Sequence, residues 1–155
     1  MAEKTIPITR DGQAKLRRDI DELLALRVDL ANRIHAAREH TVTQNNAEYE
    51  DAKAAMERNE NRIRELQDRL QHTVLIDEER AHRSSWVQVG STVFVSADGR
   101  EREYRIVGPT EADPAGGLIS NESPVGKALL GKRVGDDVNV MAPRGVMRMK
   151  VTRIA

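Results

Sequence analysis

The chain has no cysteine, so it can build neither a disulfide frame nor a thiolate site, and a reducing compartment suits it. Aromatics are scarce, with one Trp, two Tyr and one Phe among 155 residues. Net charge is also lacking: 25 basic residues balance 25 acidic ones. The halves differ only mildly, 14 Lys/Arg against 17 Asp/Glu over residues 1–80 and 11 against 8 over the remainder. Bulk charge therefore offers no stripe for a nucleic acid, and no sequence-specific DNA binding is expected. No apolar run approaches the roughly 20 residues that span a bilayer, and Met-Ala-Glu-Lys does not open a signal peptide. The expectation is a soluble, cytoplasmic protein with no membrane partner.

Backbone breakers are missing from one half only. Of ten glycines only Gly12 precedes Gly90, and of five prolines only Pro7 precedes Pro109. Such a shift marks a domain boundary, expected near Glu79–Ser85 and giving domains 1–80 and 81–155.

What fills the breaker-free half is a heptad rhythm. Leu16, Ile20, Leu23, Arg27, Leu30, Ile34 and Ala37 step alternately by four and three, the seam of a coiled coil. Past a polar break the rhythm returns at Tyr49, Ala52, Met56, Asn59, Ile63, Leu66 and Leu70. Paired antiparallel, 37 with 49 through 16 with 70, the two lists share one mirror point at Thr43. That predicts a helical hairpin. Its only polar seam residues, Arg27 and Asn59, face each other. Either they form a buried polar layer that penalises slipped registers, or both lean out, with the Arg27 stem covering apolar surface. Leu24, Leu26 and Val28 lie beside the seam. Thr9 is the expected N-cap of helix one, which runs to about His40, on the order of 45 Å. With so few aromatics these arms form a projecting rod. Asn45 and Glu48 have capping-box spacing, so helix two starts there.

From Trp86 the period becomes two. Trp86–Val89, Thr92–Val95 and Glu103–Val107 read as strands, with Asp98-Gly99 as the hairpin turn between the last two. Val74-Leu75-Ile76 reads as a lead into a charged linker. Gly117–Ile119 suggests another strand, and Ser123–Leu130 a short helix with Pro124 at its first position and Gly131 at its C-cap. Val138–Val140 and Val146–Val151 close a mostly antiparallel domain. The class is α+β: an N-terminal coiled-coil hairpin, then a small sheet domain with one short helix.

Chemistry is sparse. His35 and His40 are five apart and share no helix face, and no cluster has zinc-site spacing. Ser84, Ser85 and Ser123 lack a nucleophile context, and there is no Gly-rich phosphate loop. Glu39 and Glu48 flank the tip, where pairing with a neighbouring base and helix capping explain them. No catalytic residue, metal or cofactor is expected, and the chain does not read as an enzyme.

Two motifs carry a resemblance. Ala37-Arg38-Glu39-His40 followed by Asn46-Ala47-Glu48-Tyr49, and Ile119 through Lys132 with Ser123-Pro124-Val125-Gly126 at its centre, are similar to the tip and C-terminal signatures of the bacterial GreA/GreB transcript-cleavage factors. Tyr104–Gly108 and Gly135-Asp136 agree as well. The resemblance runs from about Ile8 to Val151. It implies an FKBP-like C-terminal domain docking on the β′ subunit at the rim of the RNA polymerase secondary channel, through Ser120, Ser123, Pro124, Val125 and Gly126. It also implies a hairpin tip (Thr41, Val42, Thr43, Gln44, Asn45) inserted into that channel, flanked by Arg38, Glu39, His40, Asn46, Glu48, Tyr49 and Lys53. In such factors an Asp and a Glu at the tip help hold a Mg²⁺ and its water. Aligned without a gap, those positions are Val42 and Asn45 here. The resulting expectation is a factor that binds polymerase without stimulating transcript cleavage and obstructs the channel. The alternatives are an active cleavage factor using other tip residues, a prolyl isomerase with a poorly furnished aromatic pocket, and an adaptor for another partner.

Overall fold

A computed structural model describes residues 4–39 and 47–155. The chain forms two compact units, one of residues 13–72, the other of residues up to Gly12 together with Thr73–Ala155.

The first unit is the predicted hairpin. Helix α1 spans Arg10–Glu39 and α2 spans Ala47–Gln71. Leu16, Ile20, Leu30 and Ala37 are buried on one side of the seam, and Ala52, Asn59, Ile63 and Leu66 on the other. The remaining seam positions are half-buried. Burying each Leu or Ile contributes roughly 1.5–3 kcal/mol, so the seam holds arms whose other faces are charged. The polar layer splits between its two readings. Asn59, only 5% exposed, stays inside and donates through Nδ2 to the Leu23 carbonyl at 3.0 Å. Its Oδ1 has no partner among the described residues. Arg27 leans out instead. It grips Glu60 with Nε at 2.6 Å from Oε1 and a terminal nitrogen at 3.0 Å from Oε2, because a guanidinium fork finds a carboxylate partner at the rim that the seam cannot offer. Leu26 and Val28 remain exposed.

The second unit is built on a five-stranded curled sheet. Its strands are β3 (Thr92–Ala97), β4 (Arg100–Val107), β5 (Leu118–Ser120), β6 (Asp137–Ala142) and β7 (Gly145–Ile154). They lie in the order β5-β4-β3-β7-β6, antiparallel except for β4–β5. Asp98 and Gly99 both have positive φ, +52° and +73°, the two-residue turn that matches strand twist. Alternate residues fill the core: Val93, Val95 and Ala97 from β3, Val138 and Val140 from β6, Met149 and Val151 from β7. Leu129 of helix α4 (Pro124–Leu129) closes it from above.

Three local readings change. Trp86–Val89 is not a strand: Trp86 makes a single bridge to Arg133, and the chain turns at once, Ser91 N donating to Gln88 O at 2.9 Å. The segment after α2 is not simply a linker. Strand β1 (Ile6–Ile8) pairs in parallel with β2 (Thr73–Leu75), and helix α3 (Glu78–Arg83) follows. Finally, Gly117 is the left-handed cap of a 3-10 turn over Pro114–Gly116, so β5 begins one residue later. Thr9 caps α1 as expected, its Oγ1 accepting from Gly12 N at 3.0 Å.

Candidate functional site

The predicted tip residues Thr41, Val42, Thr43, Gln44 and Asn45, with His40 and Asn46, lie outside the described residues. Their immediate supports do not. Glu39 ends α1 and Glu48 stands in the first turn of α2, where a carboxylate favours the free amides of a helix start. Glu39 Oε1 lies 3.3 Å from His35 Nε2, the neighbouring-base pairing expected from the sequence. The half-buried Tyr49 ring gathers two cations, with the Arg38 guanidinium 6.0 Å and the Lys53 ammonium 5.1 Å from its centroid. Ring quadrupoles attract cations at such distances. The arms thus bring positive charge and an aromatic face to the end of the rod. Among the described residues no three His, Asp or Glu side chains come together to hold a metal ion.

The second candidate segment is compact. Ser123 starts α4, its Oγ accepting from Gly126 N at 3.0 Å and donating to Ser120 O at 2.7 Å. Ser123 N donates to the same carbonyl at 3.1 Å, and Ser120 Oγ accepts from Glu122 N at 3.1 Å. Gly126 has no alternative, since a Cβ there would stand 2.0 Å from Ser120 O. Val125 packs on the core, while Pro124 and Glu122 stay exposed. All five predicted docking residues therefore come together in one shoulder at the end of β5. It presents a proline, and its shape is fixed by hydrogen bonds and not by side-chain bulk. Beside it the Asn121 Oδ1 is buried without a partner among the described residues, and Glu122 pairs with Lys4 at 3.1 Å.

Sequence reasoning missed one anchoring group. The Glu111 carboxylate accepts from Thr9 N at 3.0 Å, from the Thr9 hydroxyl, and from Gly108 N at 3.3 Å. Added Cβ atoms would stand 2.0 Å from Glu111 Oε1 at Gly12 and 1.7 Å from the Pro7 carbonyl at Gly108. The only signal was the otherwise unexplained lone glycine in the first turn of a long helix.

Family models agree with this geometry at both ends. Residues 6–75 match the N-terminal model of transcription elongation factors, and residues 82–155 match the GreA/GreB C-terminal model. Over 157 aligned residues the chain is 44% identical to transcription elongation factor GreA of Chloroflexus aggregans, covering 99% of each. It is 42% identical to that of Thermomicrobium roseum over 155 residues, again 99% of each. It also aligns with the crystal structure of GreA factor homolog 1 of Thermus thermophilus, 27% identical over 97% of this chain and 99% of that one, at a TM-score of 0.46. No helix among the described residues is long and apolar enough to cross a membrane. With both units matched and near full-length relatives above 40% identity, the chain belongs to the GreA/GreB family of transcription elongation factors.

Proposed function

We propose that this member of the family binds RNA polymerase at its secondary channel, in the cytoplasm, without stimulating transcript cleavage, and slows RNA synthesis by occupying the channel. One observation carries the reading: from His40 to Ala47 the sequence holds no carboxylate, and Val42 and Asn45 stand where the resemblance puts an Asp and a Glu. Mg²⁺ takes hard, preferably anionic oxygen ligands. Valine has no oxygen to give, and asparagine gives a neutral carbonyl. Nor do the flanking acids make good the loss, because Glu39 is engaged by His35 and Glu48 sits at the α2 start. The rod, its cationic end and the Ser120–Gly126 shoulder are all retained. The shoulder supplies the rim contact and the rod the obstruction. Binding and cleavage are in this way separated within one fold.

A second reading has a specific observation behind it. Relatives 42–44% identical over 99% of the chain bear the name GreA, which favours an active factor using other tip oxygens. The substitutions Val42→Asp with Asn45→Glu separate the two. If only the acids are absent, the double variant gains cleavage on backtracked complexes, and the native chain inhibits promoter-initiated synthesis in proportion to dose. Full RNA yield at saturating native protein removes the inhibitory role.

A further inference from the structure

We propose that a cleft in the sheet unit, framed by Arg80, Arg83 and Trp86, is a binding site for a nucleoside monophosphate. Its walls are fixed. Asp77 caps α3, its carboxylate accepting from Arg80 N at 3.0 Å, and Ala81 is wholly buried beneath the helix. The opposite wall is Trp86 and the residues after it. Trp86 N donates to Ser84 Oγ at 3.2 Å, Val87 N to Lys132 O at 2.8 Å, and Gln88 Nε2 to the Arg80 carbonyl at 3.3 Å. Between the walls lies an open cleft of about 530 Å³, of the few-hundred-Å³ size typical of small-molecule sites.

The lining is chemically specific. The guanidiniums of Arg80 and Arg83 meet no acceptor among the described residues, as is true of other surface arginines such as Arg17, Arg18 and Arg33; what sets these two apart is that both line one cleft together with Trp86. Basic groups in the last turn do complement the carbonyl end of α3, but that leaves the indole unexplained. Trp86, the one tryptophan of the chain, is 43% exposed on the same cleft. An aromatic face beside two guanidinium forks suits a flat ring that carries an anion: the ring stacks on the indole and the forks take the oxygens. Glu79, on the same rim and also without a partner among the described residues, narrows the choice. Its charge opposes a polyanion, yet a carboxylate accepts from ribose hydroxyls or an exocyclic amine. One phosphate, a planar base and several donors make a nucleoside monophosphate, either free or as the 5′-terminal residue of an oligonucleotide. A purine offers the larger face.

Because Trp86 is unique, its fluorescence reports the site directly in the full-length protein. Titration with AMP should give saturable quenching. Adenosine and inorganic phosphate should each bind roughly tenfold more weakly or worse, having lost the charge-assisted bonds or the stack. The Arg80→Gln/Arg83→Gln variant should lose on the order of tenfold in affinity or more with an unchanged melting curve, since both side chains are exposed. Trp86→Leu, followed by calorimetry, should lose binding too. A 5′-phosphorylated oligoadenylate that binds more tightly than AMP identifies the source as a nucleic-acid end; equal affinity identifies the free nucleotide. Quenching that fails to saturate at millimolar AMP, or affinity unchanged in the double arginine variant, overturns the proposal.

Discussion

Along the α1–α2 hairpin every apolar seam residue has another three or four positions away, whereas at Ser120–Gly126 both donors of Ser123 converge on the Ser120 carbonyl with Gly126 packed against it. The hairpin is a repeat held by many interchangeable apolar layers. The shoulder is a point held by directed bonds with no slack, as the 2.0 Å approach at Gly126 shows. The heptad positions of the repeat end at Ala37 and resume at Tyr49, so its pattern does not call on the residues between them. The shoulder tolerates almost no change. Tip chemistry can therefore change without touching the fold, while a change in the segment proposed to dock disturbs its geometry at once.

The largest test of this contrast strikes the seam. Ile63 is buried at 1% exposure, and Ile63→Ala should cost about 2–5 kcal/mol through lost transfer energy and a cavity, read by denaturant unfolding of the hairpin. Next comes the shoulder. Gly126→Ala places a methyl against Ser120 O and should cost about 1–3 kcal/mol. Unlike the seam variant, it should also weaken polymerase binding out of proportion to its melting shift. Equal binding by Gly126→Ala and the native chain would dissolve the distinction. Smaller, and opposite in sign, is Asn59→Leu. Removing a buried amide whose Oδ1 is unpartnered should stabilise by on the order of 1 kcal/mol. The price is register specificity, visible as broadened amide spectra along the arms.

The smallest effect is electrostatic. Hydrogen bonding and charge from Arg62, with Arg69 beyond it, hold the Glu65 carboxyl below its usual range. A lowered folded pKa stabilises above the ordinary carboxylate pKa and is lost as pH falls through the lowered value. Native protein and Glu65→Gln should therefore melt slightly apart at neutral pH and together in strong acid. This is a solvent-exposed network on the rod, so added salt should shrink the difference too.

Legibility followed the same divide. Heptad spacing alone predicted that the two arms pair antiparallel, because register in a repeat is set by local periodicity, and the bonds of Asn59 to Leu23 O and of Arg27 to Glu60 tie the two helices near the expected level. Which of the two turned inward was not readable, since it depended on Glu60 lying within reach at the rim. In the sheet unit, Asp98-Gly99 and Ser123-Pro124 announced their turns through residue chemistry that acts over a few positions. The β1–β2 pairing and the Glu111 clamp on Thr9 join residues more than sixty positions apart, and no local signal encodes such closure. Trp86–Val89 alternates like a strand, yet its backbone partners sit in the turn after α4, so the pattern was real and the inference from it wrong. For the candidate site, the flanking residues Arg38, Glu39, Glu48, Tyr49 and Lys53 could be placed, while the tip, with His40 and Asn46, rests on sequence alone.

The direct test of an acid-free apex is the length of the RNA in a stalled, backtracked transcription complex after adding the native chain. Unchanged transcripts at concentrations that displace a cleaving relative from the same complexes are the predicted result. Prompt shortening from the 3′ end would contradict it.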